Sequence, residues 1–277
     1  EIVGQLWLGA RLNDMATITA RPLFEMNGGL FSSPQLYCGS DGTSRPRLVF
    51  NGGYASFTGP NAGDVCLSKG AGVTGEVVVA GGTLAVSNSL IRMAENAAGA
   101  KGIMRLNSGR LITRGFERLG SGAGDLYLNG GVLQPCQSMT LSNLSAAVVQ
   151  TGGFATDVPA GMTLTVEQAL SHDEALEGNP DGGVVKSGVG TLELTGTDAY
   201  TGPTLVSGGV LRVAGSLAVT NLTLAGGTTL SLTNGAYQVF APSGFAAGDA
   251  GGAARVEMDI EADGSAYDVL TLPGGVG

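Results

Sequence analysis

Apolar and polar residues alternate along this chain in short runs, among them GEVVVA (75–80), GIMRL (102–106), GDLYL (124–128), AAVVQ (146–150) and NLTLA (221–225). A period of two places every second side chain on one face of an extended strand. Val79, Leu106, Leu128 and Leu224 thereby share an interior face, and their neighbours point to water. Most runs stop at a glycine pair or a Ser-Gly equivalent, and the alternation then resumes: MNGGLFSS, FNGGYASF, AGGTLAVS, NSGRLIT, NGGVLQP, TGGFATDV, DGGVVKS, SGGVLRV and AGGTTLSL. Glycine admits positive φ at no steric cost, so each pair predicts a sharp corner between two strands.

The second glycine of these phrases falls at Gly29, Gly53, Gly82, Gly109, Gly131, Gly153, Gly183, Gly209 and Gly227. Successive intervals are 24, 29, 27, 22, 22, 30, 26 and 18 residues, with a mean near 25. Asn precedes the corner at Asn27, Asn51, Asn107 and Asn129, and Asn-Gly is a strong hairpin signal. Hairpins require no such period, however, and propeller blades need roughly 40–50 residues. A unit of two or three short strands cannot cover its own apolar face and must stack on its neighbours. The pattern therefore predicts an all-β fold, a single-stranded parallel β-helix of roughly nine or more coils. Strands about 4.8 Å apart make nine coils a rod of about 40 Å. The corner asparagines would stack as an amide ladder, and loop insertions at 54–80, 83–107 and 154–182 would absorb the long intervals. We expect one β-helical domain over 1–277: a cap or first coil at 1–27, the most regular repeats at 183–240, and C-terminal coils or a cap at 241–277.

Composition sharpens this reading. Glycine contributes 48 of 277 residues, far above the usual share of about 7%. Hydrophobic residues make up 43% and mean hydropathy is +0.23, so the chain can bury a core. Fourteen basic against 23 acidic residues give a net charge of −9, which argues against nucleic acid and anionic membranes as partners. No apolar run reaches the roughly 18 residues of a membrane-spanning helix. The chain starts at Glu1 without Met, so it reads as a fragment or mature form of a longer protein. Cys38, Cys66 and Cys136 form an odd set without metal-type spacing and read as buried thiols. A Cys38–Cys66 bridge stays open, since 28 residues is close to one repeat.

Within this pattern, Gly183–Val213 (GVVKSGVGTLELTGTDAYTGPTLVSGGVLRV) resembles the passenger-associated repeat of autotransporters. That family's pattern is K-x-G-x-G-T-L-x-L-x-G, then Asn or Asp, Tyr-Thr-Gly, a Thr and a Gly-x-Leu strand. Lys186, Gly188, Gly190, Thr191, Leu192, Leu194, Gly196, Tyr200, Thr201, Gly202, Thr204, Gly209 and Leu211 fill its places. Asp198-Ala199 stand where the family favours Asn-Thr, and Pro203 where a second Gly is usual. The C-terminal RVEMDIEADGSAYDVLTLPGG, with Asp268 before Val269 and Leu270, is similar to the segment that follows such repeats. The resemblance implies a right-handed β-helix, secreted or held at the surface of a bacterial outer membrane, as a passenger or adhesin shaft. It implies no particular activity.

Candidate chemistry is sparse. His172 is the one histidine, and with Asp173, Glu174, Glu177 and Asp181 it lies in the densest acidic stretch, LSHDEALEGNPDGG. Calcium binds several oxygens, but the required loop spacing is missing; a solvated loop with a short helix is the plainer expectation. A polysaccharide-acting β-helix, glycosidase or lyase, is the alternative to a stalk. It would need paired carboxylates about 5–10 Å apart, for which Asp157, Glu167 and Asp181 are the candidates. Arg45, Arg47, Arg92, Arg105, Arg110, Arg114 and Arg118 gather in the first 120 positions, away from those acids. The stretch RLITRGFERLG (110–120) offers a recognition patch for an acidic glycan or an ordinary polar face. No nucleophile elbow or phosphate loop occurs. We therefore assign no catalytic, cofactor-binding or metal residue and no cofactor. The expected function is a structural, adhesive, monomeric stalk without catalysis, whose partner would be an unidentified host or matrix glycan or protein.

Overall fold

A computed structural model describes residues 5–8, 21–39, 44–61, 64–95, 97–217, 221–233, 239–259 and 266–270. Within them the alternating runs form short strands, and every strand pairing is parallel. The chain winds through three faces in turn. The first face holds a seven-stranded sheet from Leu23–Met26 through Arg47–Phe50, Thr74–Val79, Lys101–Leu106, Ala123–Leu128 and Ala146–Val149 to Leu170–His172. The second holds a ten-stranded sheet running without interruption from Leu30–Ser33 to Gly244–Ala247. The third carries five strands, ending at Phe116–Arg118, and then six more beginning at Met139–Leu141. The result is a parallel β-solenoid of about nine turns, as the pattern predicts. The one helical element described is a single 3-10 turn, Glu174–Leu176. Among the described residues no helix is long and apolar enough to cross a membrane.

In-register pairing turns the apolar alternation into interior columns. On the first face Leu48, Val77, Met104, Leu126, Ala147 and Leu170 stack coil on coil. On the third, Leu164, Leu192, Leu211 and Leu230 do the same. All of them are buried, as are Val79, Leu106, Leu128 and Leu224. At about 25 cal/mol per Å², burial of such columns is the dominant favourable term.

The corners follow the glycine pairs with one change of phase. From Gly29 to Gly183 the pairs lie between the first and second faces, with positive φ at Gly29, Gly53, Gly82, Gly109, Gly153 and Gly183. In the fifth pair Gly130, not Gly131, takes the positive φ. Gly209 and Gly227 sit at the next corner, between the second and third faces, where Val210 N donates to Gly190 O at 3.1 Å and Thr229 N to Gly209 O at 3.0 Å. The first corner is continued instead by Gly202-Pro203, whose Pro203 O accepts from Val184 N at 2.9 Å. This shift explains the short interval of 18 residues, and gives Pro203 the place of a corner glycine.

Two sequence expectations are corrected here. The asparagine ladder is a single rung, Asn51 Nδ2 to Asn27 Oδ1 at 2.8 Å, while Asn129 Oδ1 accepts from Gly152 N. The corner before Gly81 carries Ala80, which cannot extend the ladder. Cys38, Cys66 and Cys136 are free thiols, and only the first two are buried. Cys66 pairs with Tyr37, one step from Cys38, so the two thiols lie on opposite sides of their sheet.

The corner glycines lead to a test. Gly82 has φ of 65°, and a Cβ there would strike the Gly53 carbonyl that already accepts from Thr83 N. Gly82→Ala is expected to cost about 2–4 kcal/mol. Gly28→Ala, with nothing within 4 Å of the added carbon and no positive φ, should stay within about 0.5 kcal/mol of the parent. Urea unfolding of both variants makes the comparison.

Candidate functional site

The polar chemistry of the chain is concentrated where the repeat segment turns its corners. His172 ends the last strand of the first face, and a loop with the 3-10 turn leads to Asp181. Asp173 caps that turn, its Oδ1 accepting from Ala175 N at 3.1 Å and its Oδ2 from Gln150 Nε2 at 2.7 Å. The Gln150 bond, with that from Ala175, holds its carboxyl below the ordinary carboxylate range.

Asp181 is the centre of the cluster. Its Oδ2 meets His172 Nδ1 at 2.8 Å, Thr201 N at 2.8 Å and Thr201 Oγ1 at 3.1 Å. Its Oδ1 accepts from Gly183 N and Gly202 N, each at 2.9 Å. Burial alone would raise this carboxyl, but the bonds from Thr201, His172, Gly183 and Gly202 outweigh it and the pKa is lowered. The stretch around His172 is therefore not a solvated loop throughout: Asp181 is a buried clamp between its own coil and the next. Thr201 Oγ1 lies 3.0 Å from His172 Nδ1, the same nitrogen that meets Asp181. A relay needs base and orienting acid on opposite ring nitrogens, so these three groups do not form one. No group of three metal-binding side chains is found among the described residues.

Lys186 solves the next corner from inside. Its stem occupies the inner column of the second face between Thr156 and Val206, and the residue is fully buried. Its Nζ donates to the carbonyls of Ser187 (2.8 Å), Gly188 (2.8 Å) and Gly208 (3.0 Å). Burial pushes its pKa down to about 8 against the pull of Asp157. Tyr200 fills the opposite corner, its hydroxyl 2.7 Å from Thr204 Oγ1. The Lys-Ser-Gly and Tyr-Thr-Gly phrases are thus coil-to-coil fasteners. Asp198 is less well matched: Oδ1 accepts from Leu170 N at 2.9 Å, but Oδ2 is buried with no partner. Burial raises its pKa to about 6 despite that bond.

The remaining sequence candidates disperse. Asp157 ends a second-face strand and pairs with Arg110 at 2.8 Å. Glu167 lies past the third face, where its N donates to Leu141 O, and Asp181 lies before the second face. The three carboxylates occupy three different corners of the triangular section, so the structure does not bring them together. Nor do the arginines stand apart from acids. Glu76 bridges Arg47 (2.7 Å) and Arg105 (2.6 Å), Arg92 meets Glu117 at 2.9 Å, and Lys101 meets Asp125 at 2.6 Å. Arg105 also lies 4.1 Å above the Tyr127 ring. These partners are one coil apart, a proximity visible only once the register is known. The sequence gave no sign that Lys186 and Asp198 are buried; their place on inward-facing positions was the signal available.

Residues 184–213 match the passenger-associated-transport-repeat family. A stretch of 117 residues, 42% of this chain, is 33% identical to "Adhesin BmaC autotransporter" of Brucella suis biovar 1 (strain 1330). The match spans about 3% of that curated relative's length. No solved structure matches. The two matches support an autotransporter passenger domain with repeats.

Two outcomes are expected. Lys186→Met keeps the stem but strands three carbonyls, and should cost about 3 kcal/mol in urea unfolding. For Asp198 the folded pKa is raised from 3.8 to about 6. Its contribution is therefore greatest below the ordinary carboxyl range and is lost as pH rises through about 6. Asp198→Asn cannot ionise, so it should be more stable than the parent by on the order of 2 kcal/mol at pH 7.5. That gain should vanish below pH about 4, read as the difference in thermal midpoint at the two pH values.

Proposed function

We propose that this segment of an autotransporter passenger is a surface-exposed shaft with adhesive capacity and no catalytic activity of its own. The observation that carries the reading is the use of its polar side chains. Asp181, Lys186, Thr201 and Tyr200, the chemically richest residues of the matched repeat, are consumed in fastening one coil to the next. Their geometry holds a rod together and leaves no converging acid pair for glycan cleavage. The similarity to a protein named as an adhesin favours adhesion over a bare spacer. Exposure at a bacterial surface follows from the same family reading, and a net charge of −9 keeps rods from associating without a specific contact.

The purified chain, immobilised on beads, should bind at least one member of a panel of matrix glycoproteins and host glycans. It should release no reducing ends from polysaccharides above buffer level. Silence across the whole panel would reduce the shaft to a spacer. Reducing ends lost in both Asp157→Asn and Glu167→Gln would replace the proposal with an enzyme.

A further inference from the structure

The ladder of the third face breaks in mid-rod. Phe116–Arg118 ends one sheet and Met139–Leu141 begins the next, with no pairing between them. On the other two faces the same coils pair in full, Lys101–Leu106 with Ala123–Leu128 and Arg110–Thr113 with Val132–Pro135. The corner in between supplies the cause. Two residues, Arg114 and Gly115, lead to the third face in one coil; three residues, Cys136, Gln137 and Ser138, do so in the next. One added residue puts the following strand out of step along the face, since strand register is fixed residue by residue.

A groove of about 420 Å³ opens at this step, between Leu90, Arg114 and Phe116 on one side and Gln137, Thr140 and Thr165 on the other. Gly115 leaves its floor clear: φ is 143°, and a Cβ would press on Leu90 Cδ2 at 3.1 Å. The step is held rigidly at its far end, where Arg118 Nε and Nη2 donate to Asn143 O and Oδ1, both at 3.0 Å. Asn143 itself carries a φ of 56°.

Arg114 distinguishes this groove from the rest of the surface. It is half-buried, and its Nη1 donates to Asn88 O at 3.0 Å, which fixes the guanidinium at the wall. Arg47, Arg92, Arg105 and Arg110 each have a carboxylate partner; among the described residues Arg114 has none. An unmatched guanidinium beside a groove, in a chain of net charge −9, suits an anion brought from outside. Around it stand donors and acceptors of neutral type. Ser138 Oγ accepts from Thr163 N at 3.0 Å, so its own proton is free to donate, and Gln137 and Thr140 are exposed. Phe116, Leu90 and Met139 give the groove an apolar floor. One cation admits one carboxylate, the hydroxyls and amide match ring hydroxyls, and the apolar floor matches the C–H face of a pyranose. A neutral sugar would leave the guanidinium unmatched.

We propose that this groove binds a saccharide bearing a carboxylate, with the acid group on Arg114 and the ring over the Phe116–Leu90 floor. This deepens the adhesive reading and rests on it for its biological use, but its test uses purified protein alone. Calorimetric titration compares two pairs of oligosaccharides: one ending in glucuronate against its glucose-ending counterpart, and sialyllactose against lactose. The acidic member of at least one pair should bind saturably, and its neutral counterpart at least roughly tenfold more weakly. Arg114→Gln should lose roughly tenfold or more in affinity, and Thr140→Trp, which keeps the charge but fills the groove, should abolish binding. Arg45→Gln, an exposed arginine outside the groove, should change nothing. Thermal unfolding of each variant checks its fold, and Arg114→Lys, which keeps charge but loses the fork, decides the matter if Arg114→Gln is unstable: it should bind more weakly than the parent. The proposal fails if no acidic saccharide binds, if neutral and acidic members bind alike, or if folded Arg114 and Thr140 variants keep full affinity. Matrix-protein binding that survives in Arg114→Gln would show such a failure to be separate from that of the shaft.

Discussion

Parallel pairing in register is the constraint from which the rest of this structure follows. It places each residue about 4.8 Å from a like-placed residue in the next coil. A problem posed at one position is therefore posed again one turn later, and its solution must run along the axis. Apolar positions become columns, as with Leu164, Leu192, Leu211 and Leu230. Corners become glycine because the carbonyl of one corner accepts a bond from the next coil where a side chain would stand, as Gly29 O does from Tyr54 N at 2.9 Å. Charges become rungs, as Glu76 between Arg47 and Arg105 shows. Such exposed pairs each contribute little, from about 0 to 1 kcal/mol. Their service is to keep like charges from stacking on like.

The matched repeat is the part of the rod where this logic is most fully developed. Three interior polar groups act at two corners of adjoining coils. Asp181 gathers backbone N–H groups at one corner, Tyr200 closes it from within, and Lys186 gathers carbonyls at the other. Donor-rich and acceptor-rich corners are thus each met by an ion of the opposite sign. Burying an ion is costly unless hydrogen bonds surround it, and both ions meet that condition. Asp198 does not, because one of its oxygens has no donor. The family's preference for asparagine there has a physical explanation: an amide keeps the acceptor for Leu170 N and removes the buried charge.

How much of this was legible in the sequence depends on the range of the interaction. Alternation and glycine pairs are local signals, and they disclosed the strands, most of the corners and the buried face of Val79, Leu106 and Leu128. The phase change at Gly209 was hidden because a glycine pair looks the same at either corner; only the short interval to Gly227 hinted at it. Arg47 and Glu76 lie 29 residues apart, and nothing in their neighbourhoods announces a contact that register alone creates. Asp181 sat among Asp173, Glu174 and Glu177 and looked equally solvated, although its carboxylate is the buried one. The displacement at Phe116–Arg118 arises from one added residue in a corner, a difference that interval-counting averages away.

This division also bears on where a solenoid can be specific. A column repeats its chemistry: the outer second face presents Val132, Ala155, Val185 and Leu205 in line, uncharged and nearly interchangeable. A partner meeting that surface could slide by one coil and find almost the same contacts. A break in the ladder occurs at one height only, and it exposes groups that the neighbouring coil would otherwise have engaged. Arg114 keeps its charge unmatched because the corner after its strand runs one residue shorter than the next. Recognition in such a rod therefore belongs at its irregularities, and the regular coils serve to hold them apart and rigid.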